Sequence, residues 1–99
     1  MDIIEFVKGV KSRPLMYLES KTLHEFYYLI KGFLGAKIAN NIADIEDLNF
    51  ENEFTDFLQK KYSTQENNWK NIIELRSNAN SIDAYECFSD NFEEWLLEK

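Results

Sequence analysis

Apolar residues recur every three to four positions along nearly the whole chain, and little interrupts them. One Pro and three Gly in 99 residues supply too few turn formers for an all-β chain. The pattern predicts an all-α protein, a compact single-domain bundle of about five helices over residues 1–99. That length suffices for one core and is too short for two. With 44% hydrophobic residues, including eight Phe, five Tyr and two Trp, core material is plentiful, which excludes a disordered chain.

Ile3, Phe6, Val7 and Val10 share a face of a first helix over about residues 2–12. Pro14 stops it, because the residue before a proline is pushed out of the α region. Met16, Tyr17 and Leu18 form a short apolar bridge. Thr22 and Glu25 have capping-box spacing and open a central helix over about 23–39. Its apolar residues, from Leu23 through Phe26, Ile30 and Leu34 to Ile38, cover more than half the circumference, so it is expected to be mostly buried. Gly32 and Gly35 fall on the other side with Tyr28 and Ala39. Both cost helix propensity, and close approach of another helix or a partner is the expected reason for them.

Residues 40–49 read as the least structured segment. A fourth helix, about 50–62, turns Phe50, Phe54, Phe57, Leu58 and Lys61 inward. Ser63 and Glu66 have the spacing of a second capping box, opening a helix with Trp69, Ile72, Ile73 and Arg76 on one stripe. Ser81 is the expected N-cap of a last helix ending near Leu97.

Charge is unevenly distributed. The net charge is +2 over residues 1–37, −6 over 38–59, +2 over 60–76 and −5 over 77–99, giving −7 for the chain. One acidic block holds Asp44, Glu46, Asp47, Glu51, Glu53 and Asp56; the other holds Asp83, Glu86, Asp90, Glu93, Glu94 and Glu98. In the last helix Ala84, Tyr85, Phe88, Phe92, Trp95 and Leu96 form the apolar stripe. Opposite them, Asp83, Glu86, Asp90, Glu93 and Glu94 fall within roughly 100° of arc.

No Lys or Arg intervenes before Lys99. Like charges three or four apart repel by roughly 0.2–0.5 kcal/mol per pair, and carboxylates in a last turn oppose the helix dipole. Local rules broken without local compensation point to function. A basic protein partner is the reading that follows, as opposed to a solvated face that only keeps the chain soluble. Glu86, Asp90, Glu93, Glu94 and Asp83 are the first candidate contacts. Asp44, Glu46, Asp47, Glu53 and Asp56 are the second, and Tyr28, off its helix's apolar arc, is a candidate aromatic anchor.

Other chemistry finds little support. Cys87 is the only cysteine and His24 the only histidine, which excludes an intramolecular disulfide and a typical structural zinc site. No Gly-rich phosphate loop, EF-hand glycine or two-histidine di-iron pattern is present. No catalytic residue, cofactor or metal is expected, and the chain reads as a non-enzyme. Acids in Met1-Asp2-Ile3-Ile4-Glu5 do not fit a secretory signal, and no apolar run approaches a membrane span. A cytoplasmic protein, monomeric and without direct nucleic-acid or membrane binding, is the expectation.

Arg13-Pro14-x-Met16-Tyr17, Ser20-x-x-Leu23 and Ile30-x-Gly32-Phe33-x-x-Ala36 together form a recognisable layout. With Phe54-x-x-Phe57-Leu58, Tyr62, Trp69-x-x-Ile72-Ile73 and Ala84-x-x-x-Phe88-x-x-x-Phe92, it resembles the small helical immunity proteins of bacterial contact-dependent growth inhibition and related polymorphic toxin systems. The resemblance implies a cytosolic antidote that binds a cognate toxin domain, commonly a basic nuclease. It assigns no binding residue to this chain, because its matched positions read as structural. A helical adaptor or regulatory protein that docks a basic segment of another protein is the alternative.

Overall fold

In the computed structural model, which describes Met1 to Lys99, every regular element is helical and no strand occurs. The elements are α1 (Ile3–Ser12), a one-turn 3₁₀ helix (Pro14–Met16), α2 (Leu23–Ala39), α3 (Ile45–Tyr62), α4 (Trp69–Asn80) and α5 (Ala84–Glu98). The chain forms two compact units, Met1–Phe50 and Glu51–Lys99, and α3 begins in the first and ends in the second.

In the first unit, Asp2 caps α1 by accepting the Glu5 N–H at 2.9 Å. Thr22 caps α2 through the Glu25 N–H at 3.3 Å. The return arm of a capping box is absent. The Glu25 carboxylate instead accepts the N–H groups of Glu19 (3.0 Å) and Ser20 (3.2 Å), and the Ser20 hydroxyl, tying down the segment before the helix.

Ile3, Val7 and Val10 of α1 are buried, as are Leu18 and the α2 residues Leu23, Phe26, Ile30 and Leu34. Phe6 stacks on Phe33 with ring centres 4.1 Å apart. The buried stripe of α2 is narrower than its apolar arc: Tyr27, Leu29 and Phe33 are half-buried, and Ala36 and Ile38 are exposed. Packing inside the chain does not require Gly32 or Gly35 either, since a Cβ at either would meet nothing within 4 Å.

Three helix ends share one device. Asn41, Ser63 and Ser81 adopt left-handed backbone with φ of 56°, 52° and 54°. The N–H one residue later then reaches back five residues, from Ile42 to the Lys37 carbonyl (3.0 Å), Thr64 to Gln59 (3.2 Å) and Ile82 to Ser77 (3.0 Å). These are Schellman ends, which satisfy carbonyls the helix leaves orphaned. Ser63 and Ser81 therefore stop helices, where their spacing had predicted starts. The caps that open α4 and α5 lie further on, at Asn68, which takes the Asn71 N–H (3.1 Å), and at Asp83.

In the second unit an aromatic cluster forms the core. The Phe54 ring lies 5.6 Å from Phe88, 5.8 Å from Trp69 and 5.6 Å from Trp95, each edge-on, the arrangement the ring quadrupoles favour. Leu58, Ile72, Ile73 and Phe92 complete it. The Trp69 indole N–H, a polar handle in this cluster, donates to Glu51 at 3.1 Å.

Candidate functional site

Helix α5 presents the acidic face. Asp83 caps it by accepting the Glu86 N–H at 3.0 Å, so this carboxylate has a structural role while remaining exposed. Tyr85, Cys87, Phe88, Asn91, Phe92 and Trp95 are buried, leaving Glu86, Asp90, Glu93 and Glu94 on the exposed side. No basic residue lies in the last turn, and Leu97, 87% exposed, stands beside the acids.

Tertiary structure supplies counter-charge that the α5 sequence lacks. Lys61 of α3 pairs with Glu94 at 2.5 Å and donates to Asn91 at 2.8 Å. Lys99 pairs with Glu53 at 3.2 Å. Burial alone would lower the Lys61 ammonium, but the Glu94 hydrogen bond and charge, with Tyr62, outweigh it and hold the group above its usual range. Both pairs are partly solvated, so each contributes only about 0–1 kcal/mol. Glu94 and Glu53 are thus already engaged within the chain, whereas Asp90 and Asp56 are exposed and make no ion pair.

The first acidic block is reassigned more sharply. Residues 45–49, expected to be loop, are the first turn of α3. Asp47 is buried with a fully inaccessible carboxylate, which rules it out as a surface contact. It pairs with Lys37 of α2 at 3.1 Å and accepts the Ile3 N–H at the start of α1 at 2.8 Å. Asp44 is exposed but caps the same helix by accepting the Asp47 N–H at 3.0 Å. Glu46 is half-buried. Sequence reasoning missed this because like charges in a row read as a surface patch. The signal that identifies it is the three-residue Asp44/Asp47 spacing at a helix start.

Tyr28 is 59% exposed, and its ring meets His24 (4.9 Å) and Tyr27 (5.3 Å) edge-on. It lies in the first unit with Asp44 and Glu46, while Glu53, Asp56 and the α5 acids lie in the second. The candidate residues therefore divide between two groups. The positions carrying the immunity-protein resemblance also divide. Leu23, Ile30, Phe54, Leu58, Trp69, Ile72, Ile73, Phe88 and Phe92 are buried, whereas Arg13, Met16, Tyr17, Gly32 and Ala36 are exposed, so the latter are not core residues.

No three or more His, Cys, Asp or Glu side chains are grouped so that they could hold a metal ion. Cys87 is buried, and burial foremost pushes its thiol above the usual range. No helix is long and apolar enough to cross a membrane. No protein-family model matches the chain, and no curated protein or solved structure is significantly similar to it.

Proposed function

We propose that this protein is an immunity protein: a stoichiometric inhibitor that binds a basic toxin domain, a nuclease by the resemblance, through the outer face of α5. One observation carries the reading. Glu86, Asp90 and Glu93, spaced so that their like charges repel, are displayed together on one exposed helix side; Asp90 makes no ion pair, and the last turn of α5 holds no basic residue. A cationic surface presented by a partner relieves that repulsion. Electrostatic steering then speeds association and makes it salt-sensitive.

Asp56 extends the negative surface of the same unit, and exposed Leu97 offers an apolar anchor next to it. Glu94 and Glu53 contribute after exchanging their internal lysines, which makes them secondary. The mode of action is occlusion, in which acids occupy the lysines and arginines a nuclease uses to hold phosphates.

Co-expression with the toxin domain encoded beside the gene, scored for growth rescue, is the direct test. Rescue by the parent chain and its loss in Glu86→Lys/Asp90→Lys/Glu93→Lys, with helicity retained, support the proposal. Rescue undiminished by the triple reversal removes α5 as the binding face. Failure of the parent chain to bind or rescue, with capture of a housekeeping protein through the same face, supports the adaptor reading instead.

A further inference from the structure

We propose that the cleft between the end of α3 and the outer side of α4 is a binding site for a carboxylate carried on a branched apolar group. The cleft has a volume of about 190 Å³ and is lined by Tyr62, Thr64, Ile72, Leu75, Arg76 and Ala79. All six lie in the second unit. None belongs to the α5 face, so the inference stands apart from the inhibitor reading.

Arg76 supplies the recognition. Its guanidinium lies over the Tyr62 ring, 4.8 Å from the centroid. Tyr62 is fixed in turn, its hydroxyl hydrogen-bonded to the buried Asn91 amide at 3.0–3.1 Å. A stacked guanidinium is pre-organised, so less side-chain entropy is lost when its fork closes on a ligand.

Arg76 makes no ion pair, although the chain has 18 carboxylates against 11 basic residues. Carboxylates close to it in sequence are engaged elsewhere. Glu74 pairs with Lys70, and Glu66 accepts the Asn71 side-chain amide at 3.5 Å. The cation at this cleft is therefore open to an external anion.

The rest of the lining selects which anion. Ile72, Leu75 and Ala79 form an apolar wall, and Leu75 is 62% exposed at its edge. A free phosphate gains nothing from that wall, and a dianion is repelled more than a monoanion by a chain of net charge −7. A carboxylate beside a leucine-like side chain satisfies both features: its oxygens pair with the guanidinium fork while the side chain covers the aliphatic wall. Either the C-terminus of a peptide ending in such a residue or an acidic side chain next to one provides this chemistry.

The test is NMR titration of the isotope-labelled full chain with N-acetylleucine, N-acetyl-Leu-Glu-amide, N-acetylleucinamide and inorganic phosphate. Saturable shifts at Thr64, Leu75 and Arg76 are expected with at least one of the two carboxylates, and affinity for the uncharged amide at least about tenfold weaker. Which carboxylate binds distinguishes a chain terminus from an acidic side chain. Arg76→Gln should abolish the shifts and Arg76→Lys should weaken them several-fold. The ratio of acid to amide affinity in the parent chain decides the matter even if a variant folds poorly. Equal binding of acid and amide, tighter binding of phosphate, or no saturable shift with either carboxylate up to about 10 mM overturns the proposal.

Discussion

Asp44 and Asp47 cap each other. The Asp47 N–H donates to Asp44 Oδ1 and the Asp44 N–H donates to Asp47 Oδ2, both at 3.0 Å. This is a capping box built from two aspartates, and it starts α3 five residues before the segment whose apolar pattern marks the helix. The same Asp47 carboxylate holds Lys37 and the Ile3 N–H, so one side chain fastens the beginnings of α1 and α3 and the last turn of α2.

Removing that carboxylate should be costly. Asp47→Ala leaves the Ile3 N–H without its acceptor and the largely buried Lys37 ammonium with only the Met1 carbonyl (2.6 Å) and no counter-charge, and breaking a buried pair from one side costs roughly 3–5 kcal/mol. Urea denaturation followed by circular dichroism measures it. A variant within about 1 kcal/mol of the parent would show that the site is not a stabilising node.

Acid should act through the same residue. Burial by itself raises the Asp47 carboxyl, but the Asp44 N–H, the Lys37 ammonium and the Ile3 N–H together outweigh it and leave the group below its usual range. A carboxyl that is more acidic when folded contributes its full stability above the unfolded value of about 3.9, and loses it as pH falls from there towards the folded value. The urea midpoint of the parent chain should therefore fall more steeply below about pH 4 than that of Asp47→Asn. Parallel pH profiles would contradict the assignment.

On α5, relief of repulsion should stabilise the chain while harming its proposed role. Asp90 lies three or four residues from Glu86, Glu93 and Glu94, so Asp90→Lys converts three repulsions into attractions. A gain of about 1 kcal/mol, or roughly 4–8 °C in melting temperature, is expected from calorimetry. Binding to a basic partner should weaken in the same variant. A lowered melting temperature would mean that Asp90 holds the fold and its charge is not a functional cost.

Gly32 and Gly35 make a similar case on α2. Each is exposed in a helix interior with open space where a Cβ would stand. Gly32→Ala and Gly35→Ala should each add about 0.5–1 kcal/mol of stability. Thermal melts of the single variants check this, and destabilisation in either would contradict the open space at that Cβ.

Cys87 should be chemically silent in the folded protein. It is buried with a raised thiol pKa, and the Asn91 side-chain amide lies 3.6 Å from its sulfur. Ellman's reagent should react at neutral pH only after denaturant is added, because the thiolate is the reactive form. Rapid modification of the native chain would refute the burial.

Much of this molecule is legible from local pattern. The central helix boundaries, the stop at Pro14 and the inward stripe of α5 follow from periodicity and backbone sterics, which act over a few residues and need no knowledge of the fold. Ser63 and Ser81 show where local reading fails. A small polar residue suits both a helix start and a left-handed helix end, and only the neighbouring backbone bonds distinguish them.

The acids mark the deeper division. Sequence by itself determined an all-helical chain with its negative charge in two blocks and the outer arc of α5 free of basic residues. Only tertiary structure decided that Asp47 is interior, that Glu94 and Glu53 meet Lys61 and Lys99, and that Arg76 is left facing a cleft. The physical reason is that charge is assigned by residue type, whereas its solvation and its partner depend on residues 10 to 46 positions away brought within a few ångströms.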